Sequence, residues 1–257
     1  MDFHPDWPFV RQLIHRSETT STSDLARRLV EDGDLALPAL VLADRQTQGR
    51  GQGTNAWWSD GGSLTTTLIL DPVAHSLTLA HGPRVPLAVA TAIVDAIQVV
   101  VPRCPTGIRW PNDVEAGGRK LGGILVERVE STRGARLLIG IGLNVTTDLA
   151  SAPLELRGLA ASLAEWTGPR DAVDSRNALL RAILERIPEV LERLVDRDMG
   201  LVARWNELDL LANSRVRLRV GDEVIQATGA GIDELGGLRL DDGGVVQTHY
   251  AGRVLRD

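Results

Sequence analysis

Apolar residues along this chain follow two rhythms, one helical and one of short runs, and the texture changes near residue 213. Residues 23–33 begin with cap-type side chains, repeat apolar positions at Leu25, Leu29 and Val30 and stop at Gly33, which predicts a short helix capped by Ser23 or Thr22. Residues 39–43 form a compact apolar run after Pro38, and residues 64–70 have β-branched content ending at Asp71-Pro72; both predict strands. Over residues 86–101, Leu87, Ala90, Val94, Ile97 and Val101 recur at the helical period, and residues 159–166, 174–195 and 199–208 also read as helical. Residues 108–110, 123–127 and 137–141 predict strands joined closely enough for antiparallel pairing. Beyond Asn213, strand-like segments at 216–220, 223–228, 237–240 and 245–247 alternate with Gly-Asp, Gly-Gly and Asp-Asp-Gly-Gly turns, the pattern of a small barrel. The expected fold is α+β: a mixed or antiparallel sheet with helices over 1–211, and a small β-barrel over 212–257.

With 257 residues, 43% of them hydrophobic and 24% charged, the chain can bury a sizeable core and is not a disordered polymer. A net charge of −6 argues against a nucleic-acid-binding surface. No apolar run approaches the roughly 18 residues that span a bilayer, and polar residues and prolines interrupt residues 1–10, so the expectation is a cytoplasmic protein without membrane association. Cys104 is the only cysteine, which excludes an internal disulfide and a thiolate metal cluster. His4, His15, His75, His81 and His249 show no metal-ligand spacing.

Four segments carry candidate chemistry. In Gln46-Thr-Gln-Gly49-Arg50-Gly51-Gln52-Gly53, glycines at alternate positions let backbone N–H groups fold around an anion, with Arg50 adding a fork of donors. The stretch lacks the Gly-Lys-Ser/Thr of a P-loop and the third glycine of a dinucleotide fingerprint, and by spacing alone it is equally a surface turn. In Arg109-Trp-Pro-Asn112-Asp113, the last two side chains can bond backbone or hold a hydrated magnesium ion, and Lys120, beside Gly122 and Gly123, either reaches a buried anion or is a solvated hairpin lysine. Ser21-Thr22-Ser23 opens a helix, as a cap or as a polar ligand site, and Asn144 ends Gly140-Ile-Gly-Leu-Asn, where it closes a turn or selects a base or ribose edge.

In this order the segments resemble the biotin protein ligase family. Its helix-opening Ser-Thr-Asn is similar to Ser21-Thr22-Ser23, its Gln-Thr-x-Gly-Arg-Gly-Arg loop to residues 46–52, and its following tryptophan to Trp57. Trp-Pro-Asn-Asp at 110–113, Lys-x-x-Gly-Ile-Leu-x-Glu at 120–127 and Gly-x-Gly-x-Asn-Val at 140–145 complete the series, while residues 231–238 and 251–254 look like the family's SH3-like C-terminal domain. The resemblance implies a class II synthetase-like sheet and an ATP-dependent, Mg2+-assisted reaction that makes biotinyl-5'-AMP and passes biotin to a lysine of a biotin carrier domain. It implies that Ser21, Thr22, Ser23, Gln46, Gly49, Arg50, Gly51, Gln52, Lys120 and Gly123 line the biotin pocket. Trp57, Asn112, Asp113 and Asn144 then lie toward ATP with Arg50 and Lys120, the two residues expected to act in catalysis.

About 20 residues precede Ser21, too few for the winged helix-turn-helix of the family's repressors, so no DNA-binding role is expected. The family often pairs through its central sheet, which makes a homodimer an expectation. Two positions depart from the pattern: Ser23 stands for the usual asparagine, and Gln52 for the loop's second arginine. The rivals are a lipoate ligase or an octanoyl transferase of the same superfamily, the latter with Cys104 as nucleophile, and a non-catalytic binder of biotin or its adenylate.

Overall fold

The computed structural model describes residues 7–167 and 171–256. Its first half runs β1 (Gln12–Thr19), α1 (Thr22–Asp32), β2 (Ala39–Gln46), β3 (Gly49–Arg50), β4 (Ala56–Trp57), β5 (Ser63–Leu70), α2 (Val85–Val100), β6 (Thr106–Arg109), β7 (Asp113–Ala116), β8 (Arg119–Val129) and β9 (Arg136–Asn144). The second half contains α3 (Asp171–Val195), α4 (Met199–Leu208), β10 (Arg215–Val220), β11 (Glu223–Ile232), β12 (Leu238–Asp242), β13 (Val245–His249) and β14 (Arg253–Val254).

Seven strands form the main sheet in the order β1-β2-β5-β9-β8-β7-β6, with β1 parallel to β2 and every other pair antiparallel. Strand periodicity divides its two faces. Leu40, Leu42, Leu64, Leu68, Ile139, Ile141 and Ile124 point to one side and join the core formed with α2 and α3. Their neighbours Ala39, Val41, Ile69 and Leu138 point to the other and pack beneath Ala26 and Val30 of α1. That second face is covered by α1 over only part of its length, and the uncovered part is where the candidate chemistry collects.

Helix α1 lies close to the expected segment, but its cap is Ser21, not Ser23 or Thr22: Ser21 is extended at φ −153° and its Oγ accepts from the Asp24 N–H at 3.4 Å. Thr22 and Ser23 are already inside the first turn and are buried. Gly33 ends the helix at φ 95°, donating its N–H to the Leu29 carbonyl, a conformation that favours glycine. Strand β1 was invisible in the apolar pattern because it is an edge strand in which only Ile14 is buried.

Residues 159–166 are not the helix their period predicts. The Lys120 N–H donates to the Leu159 carbonyl and the Ala161 N–H to the Lys120 carbonyl, so this backbone pairs beside β8 before a single 3-10 turn, Leu163–Glu165. Ser162 and Glu165 close that turn as a reciprocal capping box. The membrane reading also needs correction: Leu79–Val100 is a 22-residue helical stretch long and apolar enough to cross a bilayer, yet 67% of its apolar window is buried within the fold, as in a core helix.

The C-terminal strands make an antiparallel sheet in the order β13-β12-β11-β10-β14; among the described residues no pairing of β13 with β14 closes it into a barrel. It is tied to the rest at defined points. Asn206 of α4 donates to the Ile232 carbonyl and accepts from its N–H, at 2.9 and 2.8 Å. Trp110 Nε1 donates to the Gly236 carbonyl at 2.9 Å, and Arg109 Nη2 to the Leu255 carbonyl at 2.9 Å.

Ile93 of α2 is fully buried between the sheet and α3. Ile93→Ala is expected to lower unfolding stability by roughly 2–5 kcal/mol, read by urea denaturation as a lower midpoint at unchanged slope.

Candidate active site

The uncovered sheet face is built on missing side chains. Gly123 of β8 lies directly opposite Gly142 of β9, and Gly140 is two residues along on the same face, flanked by Thr65 and Thr67 of β5. A Cβ at Gly140 would stand 2.9 Å from the Ser23 Oγ, one at Gly142 2.7 Å from the Trp57 ring, and one at Gly123 3.3 Å from the Lys120 Nζ. Three separate segments, the start of α1, the glycine-rich loop and the β7–β8 hairpin, thus come down onto one strip of sheet because that strip has no Cβ atoms.

At one end of the strip is a chain of hydroxyls and an amide. The Gln46 Oε1 accepts from the Thr22 N–H at 2.7 Å and from its hydroxyl at 3.0 Å; Thr67 Oγ1 bonds Thr22 Oγ1 at 2.9 Å and Ser23 Oγ at 3.2 Å. Gln46 arrives there because β2 runs three residues past the predicted strand. All four side chains are buried, and hydroxyls can turn to donate or accept, so the cluster suits a polar ring that presents both a carbonyl and N–H groups.

The glycine-rich loop is the two-stranded hairpin β3–β4, with Gly49 opposite Trp57 and Arg50 opposite Ala56. At Gly49 a Cβ would lie 2.4 Å from the Trp57 carbonyl oxygen, so the hairpin closes only with glycine. The Gly51 N–H donates to the Asn55 carbonyl at 2.8 Å, and Gln52 is exposed at the tip, its carbonyl accepting from the Asn55 N–H at 3.2 Å. Arg50 is not a free anion grip. Its Nη1 and Nη2 hold Glu127 at 3.0 and 2.5 Å, and its Nε holds Asp24 at 2.7 Å, while Arg27 reaches the same Glu127 at 3.0 Å. The Glu127 hydrogen bonds, more than burial opposes them, push the Arg50 pKa above its ordinary value.

At the other end, Lys120 Nζ donates to Asp113 Oδ1 at 2.6 Å. Arg256 brings its guanidinium to Asp113 at 3.8 Å and to buried Glu115 at 2.5 Å, and Arg109 stands 3.8 Å from Glu115. A hollow of about 230 Å³ adjoins this cluster, with Arg109, Arg215, Arg217 and Arg256 in its walls. Asn112 and Asn144 do structural duty: Asn112 Nδ2 donates to the Ile124 carbonyl at 2.7 Å, and Asn144 Nδ2 to the Ala161 carbonyl at 3.0 Å. The first pins the strand end carrying Asp113 to β8, and the second holds the segment that pairs with Lys120.

Lys120 and Arg50 share the face. The Lys120 ammonium lies over Gly123, Arg50 is held by Glu127, and Gly123 and Glu127 point the same way four residues apart on a regular stretch of β8, about 13 Å. The structure brings Ser21 to Ser23, Gln46, Arg50, Trp57, Asp113, Lys120 and Gly123, all singled out in the sequence, to one side of the sheet. The sequence reading gave no role to Asp24, Glu127, Thr67, Glu115 or Arg256, although Glu127 closes the motif at 120–127. Ser63, Thr65 and Thr67 were detectable as alternate polar residues on one face of β5; Arg256 gave no signal, lying in no recognisable motif.

A model of the biotin/lipoate A/B protein ligase family matches residues 15–144, the span that holds this strip and its flanking loops. The chain belongs to that family. Among its relatives, the biotin--[acetyl-CoA-carboxylase] ligase of Mycobacterium tuberculosis is 30% identical over 249 residues, 95% of this chain and 89% of that protein. The bifunctional ligase/repressor BirA of Bacillus spizizenii is 28% identical over 246 residues, 95% of this chain and 74% of that protein. The biotin protein ligase of Aquifex aeolicus, solved in complex with biotin and ATP, superposes with a TM-score of 0.75 at 25% identity, covering 95% of this chain and 98% of that one.

Cys104 takes no part in the site. It is buried, and burial, with Glu165 adding to it, pushes its thiol up to about 12. Native protein at pH 8 is therefore expected to resist iodoacetamide, with labelling appearing only on unfolding; rapid native labelling would restore a cysteine-transferase reading. Gly142→Ala is expected to lift the Trp57 indole off the sheet, seen as a red shift in emission that disappears in a Trp57→Phe background.

Proposed function

We propose that this chain is an ATP-dependent biotin protein ligase that forms biotinyl-5'-AMP and transfers biotin to a lysine of a biotin carrier domain. The observation that carries the reading is the Gly140–Gly142–Gly123 strip. It sets a cluster of buried hydroxyls at one end and the Lys120–Asp113 pair at the other, on one continuous face. A ureido ring, with one carbonyl and two N–H groups, matches the Thr22, Ser23, Thr67 and Gln46 cluster, and the valeryl chain then points from that cluster toward Lys120. The biotin carboxylate then lies toward the cationic groups.

A carboxylate is a poor acyl donor because it is anionic and has no good leaving group. Attack of its oxygen on the α-phosphorus of ATP forms a mixed anhydride and releases pyrophosphate, and the α-phosphoryl oxygens gather charge in the transition state. Lys120 and Arg50 are the cations placed to meet that charge. Arg50 has its donors on Glu127 and Asp24 and must redirect some of them to phosphate, which as the more highly charged acceptor competes for the same fork. Asp113 and Asn112 are oxygen donors at one strand end that would suit a magnesium ion arriving with ATP, and such an ion would supply further neutralisation of the triphosphate. Among the described residues no three His, Cys, Asp or Glu side chains cluster to hold a metal, so Asp113 and Asn112 would hold such an ion only together with the nucleotide. In the second step the neutral amine of the acceptor lysine attacks the acyl carbon, the amide forms and AMP leaves.

Two substitutions tune this scheme. Ser23 carries one hydroxyl where the family's pattern has an amide, and that hydroxyl is held by Thr67. Gln52 sits exposed at the hairpin tip without the charge of a second arginine, so the loop holds the adenylate less firmly.

Biotin and MgATP are expected to yield pyrophosphate, and a carrier domain to acquire biotin on its lysine; biotin binding with no pyrophosphate would make the chain a non-catalytic binder. Arg50→Ala and Lys120→Ala should each slow adenylate formation on the order of 10² to 10³ in single-turnover assays, and wild-type rates in both would remove them from the mechanism. Gln52→Arg is expected to slow adenylate release in a filter-binding chase, and equal off-rates would falsify the loop's role in retention.

A further inference from the structure

Away from the sheet strip, a second hollow of about 310 Å³ opens between the end of α3, the start of α4 and the loop joining β11 to β12. Its floor is apolar: Leu194, Leu201 and Trp205 are all but inaccessible to solvent. Exposed Met199 and Leu235 form part of its rim, and Arg84, Arg193 and Arg197 stand around it. Arg193 is paired, its Nε lying 2.6 Å from Asp198.

Arg84 is not. It is 5% exposed, yet among the described residues its hydrogen bonds go to the Glu234 and Ala80 carbonyls at 3.4 and 3.5 Å, beyond the usual N–H···O range, with no carboxylate within ion-pair distance. Its Nε has no acceptor, and neither does the buried Nε1 of Trp205 in the same hollow. Burial, and next the nearby charge of Arg197, push the Arg84 pKa down against the opposing pull of Asp233. Buried guanidinium groups are ordinarily paired or fully hydrogen-bonded, and Arg84 is left under-satisfied by the groups around it.

We propose that this hollow binds a small amphipathic carboxylate, its head on Arg84 and Arg197 and its unbranched apolar tail over Leu194, Leu201 and Trp205. Three arginines around the hollow outnumber its two carboxylates, Asp198 and Glu234, which favours an acid, and the apolar side chains favour a tail. A volume of 310 Å³ takes about ten non-hydrogen atoms at roughly 30 Å³ each, which corresponds to a chain of about six to eight carbons. The site is separate from the strip that holds Lys120 and Arg50 and does not depend on the activity proposed above. The two do have one structural link: Arg84 packs under Gly236, whose carbonyl accepts from Trp110.

Octanoate, titrated calorimetrically into the full chain with and without saturating biotin, is the test. The expected result is a dissociation constant of about 0.1–1 mM that biotin leaves unchanged, with octanol and butyrate each at least about tenfold weaker. Arg84→Gln and Arg197→Asn should each weaken octanoate by about tenfold or more. Arg197 has φ 54°, so asparagine, which tolerates that region, removes the charge without straining the turn, and this exposed variant keeps the test valid if Arg84→Gln fails to fold. Absence of octanoate binding overturns the proposal, as does loss of binding under biotin, equal affinity for octanol, or an affinity that the folded variants leave unchanged.

Discussion

The site depends on close approach of backbone to side chain at three glycines. Where β8 and β9 lie side by side, Gly123, Gly140 and Gly142 leave the sheet without Cβ atoms on one face, and the segments that carry chemistry rest directly on peptide groups. Any larger residue would raise one of them: Ser23 at Gly140, Trp57 at Gly142, Lys120 and Asp113 at Gly123. The opposite face of the same strands is continuous aliphatic core, so the sheet that carries the chemistry is held rigid from behind.

Onto this face the fold places charge that is already paired. Arg50 and Arg27 meet Glu127, with Asp24 completing the group; Lys120 and Arg256 meet Asp113, with Glu115 and Arg109 beyond. Glu127, Asp113 and Glu115 each sit within reach of two cations and Asp24 of Arg50, which keeps partly buried guanidinium and ammonium groups compensated while leaving donors that an incoming phosphate can recruit. The cations are thereby held in position before a nucleotide arrives, and the carboxylates limit how far each can swing.

Much of the fold was legible in the sequence because its core strands and helices are periodic and strongly apolar: α2, β5, β9 and the C-terminal hairpins lie close to the segments that the pattern indicates. The failures have physical causes. Strand β1 is half exposed and shows no alternation, and residues 159–166 have a helical period but find better backbone partners at Lys120. The site was legible as far as its motifs were continuous in sequence. What stayed hidden was who pairs with whom. That Arg50 is bound to Glu127, 77 residues away, and that Asp113 is approached by Arg256 are facts of tertiary register that no local pattern carries.

The bond from Trp110 to the Gly236 carbonyl joins the end of β6 in the main sheet to a turn of the C-terminal sheet. At φ 80°, and with Arg84 2.8 Å from where its Cβ would be, that turn position accepts glycine and little else. The two sheets are therefore not interchangeable parts. A chimera that imports a C-terminal sheet from a relative would have to bring the matching turn glycine and the arginine that reaches Glu115, so modular recombination across this seam is confined to donors that already share both.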